Sequence, residues 1–479
     1  MADLSYSAPV AAGPLDARLA LPGSKSLTNR ELVLAALADG PSRLIAPLHA
    51  RDTELMVEAL RELGADVREE RGEGAFGADW VVKPVGLAPS TRSARSGTGL
   101  PPSQRAAGEH PHPARPEGQR PLPERAVAER PLPERAEGES KGRTSLNVGL
   151  AGTVMRFLPP VAALSGGTVT FDGDESARRR PMATMTNALR ALGVQVEGDA
   201  LPFTVHGTRA VRGGELTIDA SASSQFVSGL LLAASRFTEG LVLRHEGARL
   251  PSLPHIEMTI ACLAARGVEV TSPDEGVWIV PPQRIAARDV AIEPDLSNAA
   301  PFLAAALVAG GQVSIEGWPG STTQVGDDLR ELLVAFGGEI SLVDGLLTVR
   351  GSGAIRSPGR LDLSRAGELA PNLVGLAALA DGPTEFTGIG HLRGHETDRL
   401  QALADDLGGL GGRVTILSDG LAIEPGPLHG GPWRAYEDHR MATTGALIGL
   451  AVPGVVVDDI GTTAKTLPEF RALWERMLG

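Results

Sequence analysis

The sequence predicts an α/β protein of two pseudo-symmetric halves, each built from three small βα units. Three observations carry that prediction. A pattern recurs six times: a small-polar entrance, an Ala/Leu-rich helix, a Gly-containing turn, a short strand and an amphipathic helix. Four of the five intervals between copies run to about 71 residues, well beyond solenoid periods, so each copy is a subdomain. The sixth copy stops after its second helix, while residues 6–10 and 16–21 are strand-like runs with no helix before them.

The first helices begin near Ser24, Leu150, Ser221, Asp295, Arg365 and Tyr436. They are apolar nearly all round, which predicts helices buried on every face. Strands follow at 167–171, 241–244 and 454–457. Second helices at 53–63, 184–192, 397–407 and 468–477 carry apolar residues at i, i+3, i+4 and i+7, so they are one-sided. The first interval is about 55 residues too long. The excess matches residues 90–145, rich in Pro, Arg, Glu, Gly and Ser, where Arg-Pro-Leu-Pro-Glu-Arg-Ala starts at both Arg120 and Arg130. That composition cannot bury a core and reads as a disordered insertion, a tolerated surface loop. The N-terminal runs are expected to complete unit six. The chain then divides into one domain at 20–291 and another at 1–19 plus 292–479, with crossings near Leu21 and Ile292 acting as a hinge. Ligands favour such interfaces.

Composition excludes several classes of function. A net charge of −13 argues against a nucleic-acid-binding face. No apolar stretch reaches the roughly 20 residues that span a bilayer, and no secretory signal is evident at the N-terminus. Cys262, the single cysteine, falls in a helical pattern at 255–266 and reads as a buried structural thiol. The expectation is a cytoplasmic protein, monomeric, without membrane or nucleic-acid partners.

Of 45 Lys and Arg residues only Lys25, Lys83, Lys141 and Lys465 are lysine. A lysine kept against that bias suggests chemistry, because its ammonium can give up a proton and a guanidinium does not. Lys25 and Lys465 lie in small-polar segments just ahead of helical patterns, where backbone N–H groups and the helix dipole favour an anion. Lys83 sits in a strand-like run and Lys141 in the insertion. First-helix entrances also carry Ser26, Arg30, Gly152, Thr153, Arg156, Ser223, Ser224, Gln225, Glu368, Asp438, His439 and Arg440. Second-helix entrances add Arg180, Ser252, His395, Glu396 and Arg399. Taken singly, most have plainer readings: Ser221, Thr397 and Asp295 as caps, Arg178 to Arg180 as a solvated run, His439 as a structural histidine. Their recurrence in phase across the repeats favours one shared anion site.

The motifs Gly23-Ser24-Lys25-Ser26-Leu27-Thr28-Asn29-Arg30, Ala151-Gly152-Thr153-Val154-Met155-Arg156 and Ser223-Ser224-Gln225 resemble those of the 5-enolpyruvylshikimate-3-phosphate synthase family. So do Arg393-Gly394-His395-Glu396-Thr397-Asp398-Arg399, Asp438-His439-Arg440-Met441 and Thr463-Ala464-Lys465-Thr466. The resemblance covers all of the chain but the insertion. It implies a two-domain inside-out α/β barrel with three βαβαββ units per domain. It also implies transfer of the enolpyruvyl group of phosphoenolpyruvate (PEP) to the 5-hydroxyl of shikimate 3-phosphate, with release of phosphate.

By the same resemblance PEP is bound by Lys25, Gly152, Thr153, Arg180, Gln225, Arg399, Arg440 and Lys465. Shikimate 3-phosphate is bound by Lys25, Ser26, Arg30, Ser223, Ser224, Gln225, Ser252, Glu368, His391 and His395. Glu396 is the candidate for proton transfer at the PEP methylene, Glu368 the base toward the 5-hydroxyl, and Lys25 the charge-stabilising group. No metal and no cofactor is implied. Four positions depart from the common family pattern: Leu150, Glu368 in place of aspartate, and His391 and His395 in place of asparagine and lysine. With His395 the phosphate contact is expected to titrate near neutral pH, making substrate affinity pH-sensitive. The alternatives are the sister UDP-N-acetylglucosamine enolpyruvyl transferase and a non-catalytic phosphate-binding scaffold. Ser26 after Lys25 and the Ser-Ser-Gln cradle disfavour the first, and two carboxylates among cations disfavour the second.

Overall fold

The computed structural model describes residues 5–72, 74–86 and 143–479. Six small sheets repeat one plan: two parallel strands, the second of which pairs antiparallel with a further strand. In unit two, Arg143–Asn147 runs parallel to Thr168–Asp172, which pairs antiparallel with Phe203–His206, and that strand with Gln195–Glu197. Unit five repeats the order with Arg360–Asp362, Thr384–Thr387, Gly420–Glu424 and Arg413–Leu417. A parallel pair requires a crossover, and the apolar first helix of each unit fills that need.

The first helices are Lys25–Leu37, Gly152–Ala163, Gln225–Ala234, Ala300–Ala309, Ala370–Ala378 and His439–Gly449. They begin one to five residues after the expected points, because the small-polar entrances are turns rather than helix. Helix Gly152–Ala163 is buried along its whole length. The first three of these helices pack on one another, and so do the last three. Buried apolar side chains accordingly form two clusters, one from Leu32 to Ile292 and one joining Tyr6 to Leu21 with Leu296 to Met477. Leu34, Leu230 and Leu303 are fully enclosed, each contributing about 2 kcal/mol over an exposed position. Second helices such as Arg51–Glu62 and Phe470–Leu478 lie one-sided against this core. Cys262 is buried in helix Pro254–Ala265, and burial pushes its thiol pKa far up.

Two expectations are corrected. Tyr6–Ser7 does complete unit six, pairing with Val455–Val457, but the second N-terminal strand does not. Leu15–Leu19 runs parallel to Gly311–Glu316 and leads the sheet of unit four. In the mirror arrangement Val290–Ala291 leads the sheet of unit one, beside Ser42–Ile45. Each half thus takes a leading strand from the segment that continues into the other half's first helix. Local pattern finds such a strand but cannot name its partner. The insertion is also shorter at its end than expected. Its expected span falls outside the described residues except at the end, where Arg143–Asn147 is strand rather than insertion.

The crossings hold each other closely. Ser24 N–H donates to the Glu293 carbonyl at 2.7 Å, and Asp295 N–H to the Pro22 carbonyl at 2.9 Å. Gly23 is required there, since a Cβ would lie 2.5 Å from the Ala46 carbonyl oxygen. Among the described residues no helix is long and apolar enough to cross a membrane.

Candidate active site

All six units deliver side chains from the entrances of their helices to one cleft. Of the residues expected there, Lys25, Ser26, Gly152, Thr153, Arg180, Ser223, Ser224, Gln225, Ser252, Glu368, His391, His395, Glu396, Arg399 and Arg440 line it. Two do not. Arg30 is 1% exposed, and its guanidinium donates to Thr259 Oγ1, the Ser26 carbonyl and the His255 carbonyl, each at 2.8 Å. Those bonds brace the wall of the cleft. Lys465 stands behind Glu396, with Nζ 2.5 Å from Oε1.

Asp295 couples the two halves at the floor of the cleft. Its carboxylate accepts from the Lys25 backbone N–H at 3.0 Å and from Asn298 N–H at 2.9 Å, satisfying two helix-entrance donors. The Lys25 ammonium projects the other way, 3.5 Å from Asp52 Oδ2. Burial opposes a charge on His439, and Arg440, Lys25 and Lys465 add to that, so the imidazole is held neutral.

Glu396 is a buried carboxylate in a ring of cations. Besides Lys465 it accepts from Arg399 Nη2 at 3.1 Å. Burial alone would favour its neutral form; Lys465, Arg399 and Arg180 outweigh burial and hold its carboxyl well below the usual range. Arg399 is itself fixed by Asp438 through two bonds, at 2.7 and 3.1 Å. Glu368 repeats the theme across the cleft. Burial works against its charge, but His255, Arg440 and the Ser297 hydroxyl keep it ionised.

Arg156 and Arg180 are buried side by side, a like-charge arrangement that an anion between them would relieve. A Cβ on Gly152 would lie 3.0 to 3.1 Å from Gln225 Oε1, Arg156 Nη1 and Arg180 Nη2, so only glycine leaves this corner uncrowded. Thr153 is oriented by Asn29 Nδ2 at 2.7 Å.

His391 and His395 meet edge to face, 5.6 Å between ring centres. The expectation that His395 titrates near neutral pH is corrected for the free chain. Burial, and after it Arg399, hold His395 well below the ordinary histidine value, and the same two causes lower His391 to about 4.

The sequence reading missed Asp52, His255, Ser297 and Gln324, which also line the cleft. Each sits at a helix entrance, so the phase of the repeats was the available signal. Each also looks like an ordinary cap or first-turn residue. Among the described residues no group of three or more His, Cys, Asp or Glu side chains is arranged to hold a metal ion.

Two three-unit α/β halves closing a cation-lined cleft around two ionised carboxylates define an enzyme that converts small anions. The chain belongs to the EPSP synthase (3-phosphoshikimate 1-carboxyvinyltransferase) family, whose model matches residues 10–87 and 128–474. It is 51% identical over 470 residues to a 3-phosphoshikimate 1-carboxyvinyltransferase of Kocuria rhizophila, covering 97% of this chain and 94% of that one. The fold is shared with the EPSP synthase of Acinetobacter baumannii, with TM-score 0.71 and 22% identity over 99% of this chain and 98% of the other. It is also shared with the enolpyruvyl transferase NikO of Streptomyces tendae, with TM-score 0.67 and 17% identity over 98% and 96%.

Proposed function

We propose that this cleft transfers the enolpyruvyl group of PEP to the 5-hydroxyl of shikimate 3-phosphate, yielding 5-enolpyruvylshikimate 3-phosphate and phosphate, a step of aromatic biosynthesis. The observation that carries the reading is the pair of buried, ionised carboxylates, Glu368 and Glu396, inside a cation-lined cleft. A site that only bound anions would be weakened by them.

PEP lies against Arg180, Arg399 and Arg440, whose guanidinium forks suit its carboxylate and phosphate, with Lys25, Gln225, Gly152 and Thr153 beside it. Lys465 acts from behind Glu396. Shikimate 3-phosphate lies toward Ser26, Ser223, Ser224, Gln225 and Ser252, with His391 and His395 as neutral partners for its phosphate. Lys25 lies between the two substrates, and Arg30 braces the wall on the shikimate 3-phosphate side and is a further contact for that substrate.

A proton is added to the PEP methylene carbon from the Glu396 and Lys465 pair. At the same time the 5-oxygen bonds to C2 and its proton passes to Glu368. The resulting intermediate is tetrahedral at C2 and carries a methyl group. Loss of a methyl proton back toward Glu396 re-forms the double bond and expels phosphate, which takes up the proton left on Glu368. Lys25 stabilises charge at the reacting centre. No outside oxidant or cofactor is consumed.

The two core clusters support domains at 20–291 and at 1–19 plus 292–479, closing at the crossings around substrate. One chain supplies both walls of the cleft, which supports a monomer. The lone buried thiol suits a reducing cytoplasm. The test is to incubate the protein with PEP and shikimate 3-phosphate and to measure phosphate. Release is expected only with both substrates. No release with this pair, but release with UDP-N-acetylglucosamine as acceptor, would overturn the reading.

A further inference from the structure

One imidazole of the cleft has no part in the scheme above. His255 is the second residue of helix Pro254–Ala265, in the half opposite Glu368. Its backbone is pinned: the carbonyl accepts from Arg30 Nη2 at 2.8 Å, Thr259 Oγ1 at 2.9 Å and Ser228 Oγ at 3.4 Å. The side chain makes none of those bonds. It reaches across the cleft to put Nε2 3.3 Å from Glu368 Oε2. The other carboxylate oxygen takes the Ser297 hydroxyl, from Glu368's own half. Glu368 is therefore gripped from both sides of the cleft.

We propose that His255 is a positioning residue for Glu368, aiming the carboxylate at the 5-hydroxyl only while the two halves are closed. The proposal rests on the enolpyruvyl-transfer reading of the same cleft. A carboxylate offers about four lone-pair sites, so the Ser297 and His255 contacts fix its plane and leave room for the substrate O–H. Burial on closure would by itself favour the neutral acid, which cannot accept a proton. His255 opposes that effect through both its charge and its hydrogen bond, so the half that encloses Glu368 also keeps it ionised. Base and binding site are then completed by one movement, and Glu368 loses this partner whenever the halves part.

The test compares His255→Phe, which keeps a ring but no donor, with His255→Gln, which keeps an N–H donor. Because the pinning bonds use the backbone carbonyl, both variants should unfold thermally near the wild-type temperature. His255→Phe is expected to lower kcat about 10- to 100-fold, the cost of a misaimed group. Its KM for shikimate 3-phosphate should stay within about threefold, since uniform binding is kept. His255→Gln should recover most of kcat. Wild-type kcat in His255→Phe, a raised KM with kcat intact, or a glutamine variant no better than phenylalanine would each overturn the proposal. A wild-type protein that releases no phosphate from PEP and shikimate 3-phosphate would instead overturn the reaction assignment itself.

Discussion

Lys465 and Glu396 form a buried ion pair, Nζ to Oε1 2.5 Å, that joins the second-helix entrances of units five and six. The pair explains why a lysine is kept at position 465 in an arginine-rich chain. A compact ammonium fits behind the carboxylate and can pass it a proton, which a guanidinium cannot do. It also means that Glu396 is ionised at rest. Binding of PEP must draw the cations off before Glu396 can hold the proton it delivers.

Removing one partner should cost more than removing both. Lys465→Met is expected to destabilise the chain by up to about 3 kcal/mol, the cost of orphaning a buried charge, reduced because Arg399 still bonds Glu396. Adding Glu396→Gln should restore part of that loss in thermal unfolding. Glu396→Gln alone should lower kcat by at least about 100-fold, as expected for a lost acid–base group. Equal unfolding temperatures for single and double variants would show that the pair carries no coupling.

Lys25→Arg tests the need for an ammonium at the other lysine-bearing entrance. The backbone bond from Lys25 to Asp295 does not involve the side chain, so folding should be unchanged. A guanidinium cannot give up a proton from that position, and kcat should fall about 100-fold or more. Full activity in a steady-state assay would remove Lys25 from the mechanism.

Gly152→Ala should act more strongly on PEP than on shikimate 3-phosphate. The added methyl would press on Gln225, Arg156 and Arg180 at 3.0 to 3.1 Å, displacing Arg180, which is assigned to PEP. The expected result is a KM for PEP raised about tenfold, with the KM for shikimate 3-phosphate little changed. Equal effects on both substrates would contradict the placement of PEP in that corner.

The two buried histidines give a pH dependence whose sign can be worked out. In the free chain His391 titrates at about 4 and His395 is also depressed, so both are neutral at neutral pH. A phosphate dianion beside them raises both values, so the bound state holds more protons than the free state. Affinity for shikimate 3-phosphate therefore strengthens as pH falls toward the range of the free histidines. Calorimetry at mildly acidic pH, just above the range of the free histidines, in buffers of different ionisation enthalpy should reveal proton uptake, reduced in His395→Gln. Buffer-independent enthalpies would contradict it.

Much of this was legible in the sequence for physical reasons. Helices apolar on every face, such as Gly152–Ala163, can only be central, and their periodic entrances announced a common site. Leu15–Leu19 was visible as a strand, but its partner, Gly311–Glu316, lies almost 300 residues away and is set by the exchange at the crossings. Arg30 matched a binding motif, but two of the three hydrogen bonds that tie it to its own wall go to Thr259 and His255, more than 200 residues away. His255 and Ser297 carry no distinguishing pattern, because their role comes from contact with Glu368 across the fold.

The most direct test of addition followed by elimination is isotopic. With both substrates present in deuterium oxide, a methyl-bearing intermediate gains one deuteron at C3 and then loses either a proton or a deuteron. The account predicts vinylic deuterium at C3 in the product and in recovered PEP, seen by NMR or mass spectrometry, and none in PEP incubated without shikimate 3-phosphate. A product formed at full turnover with only protium at that carbon would contradict it.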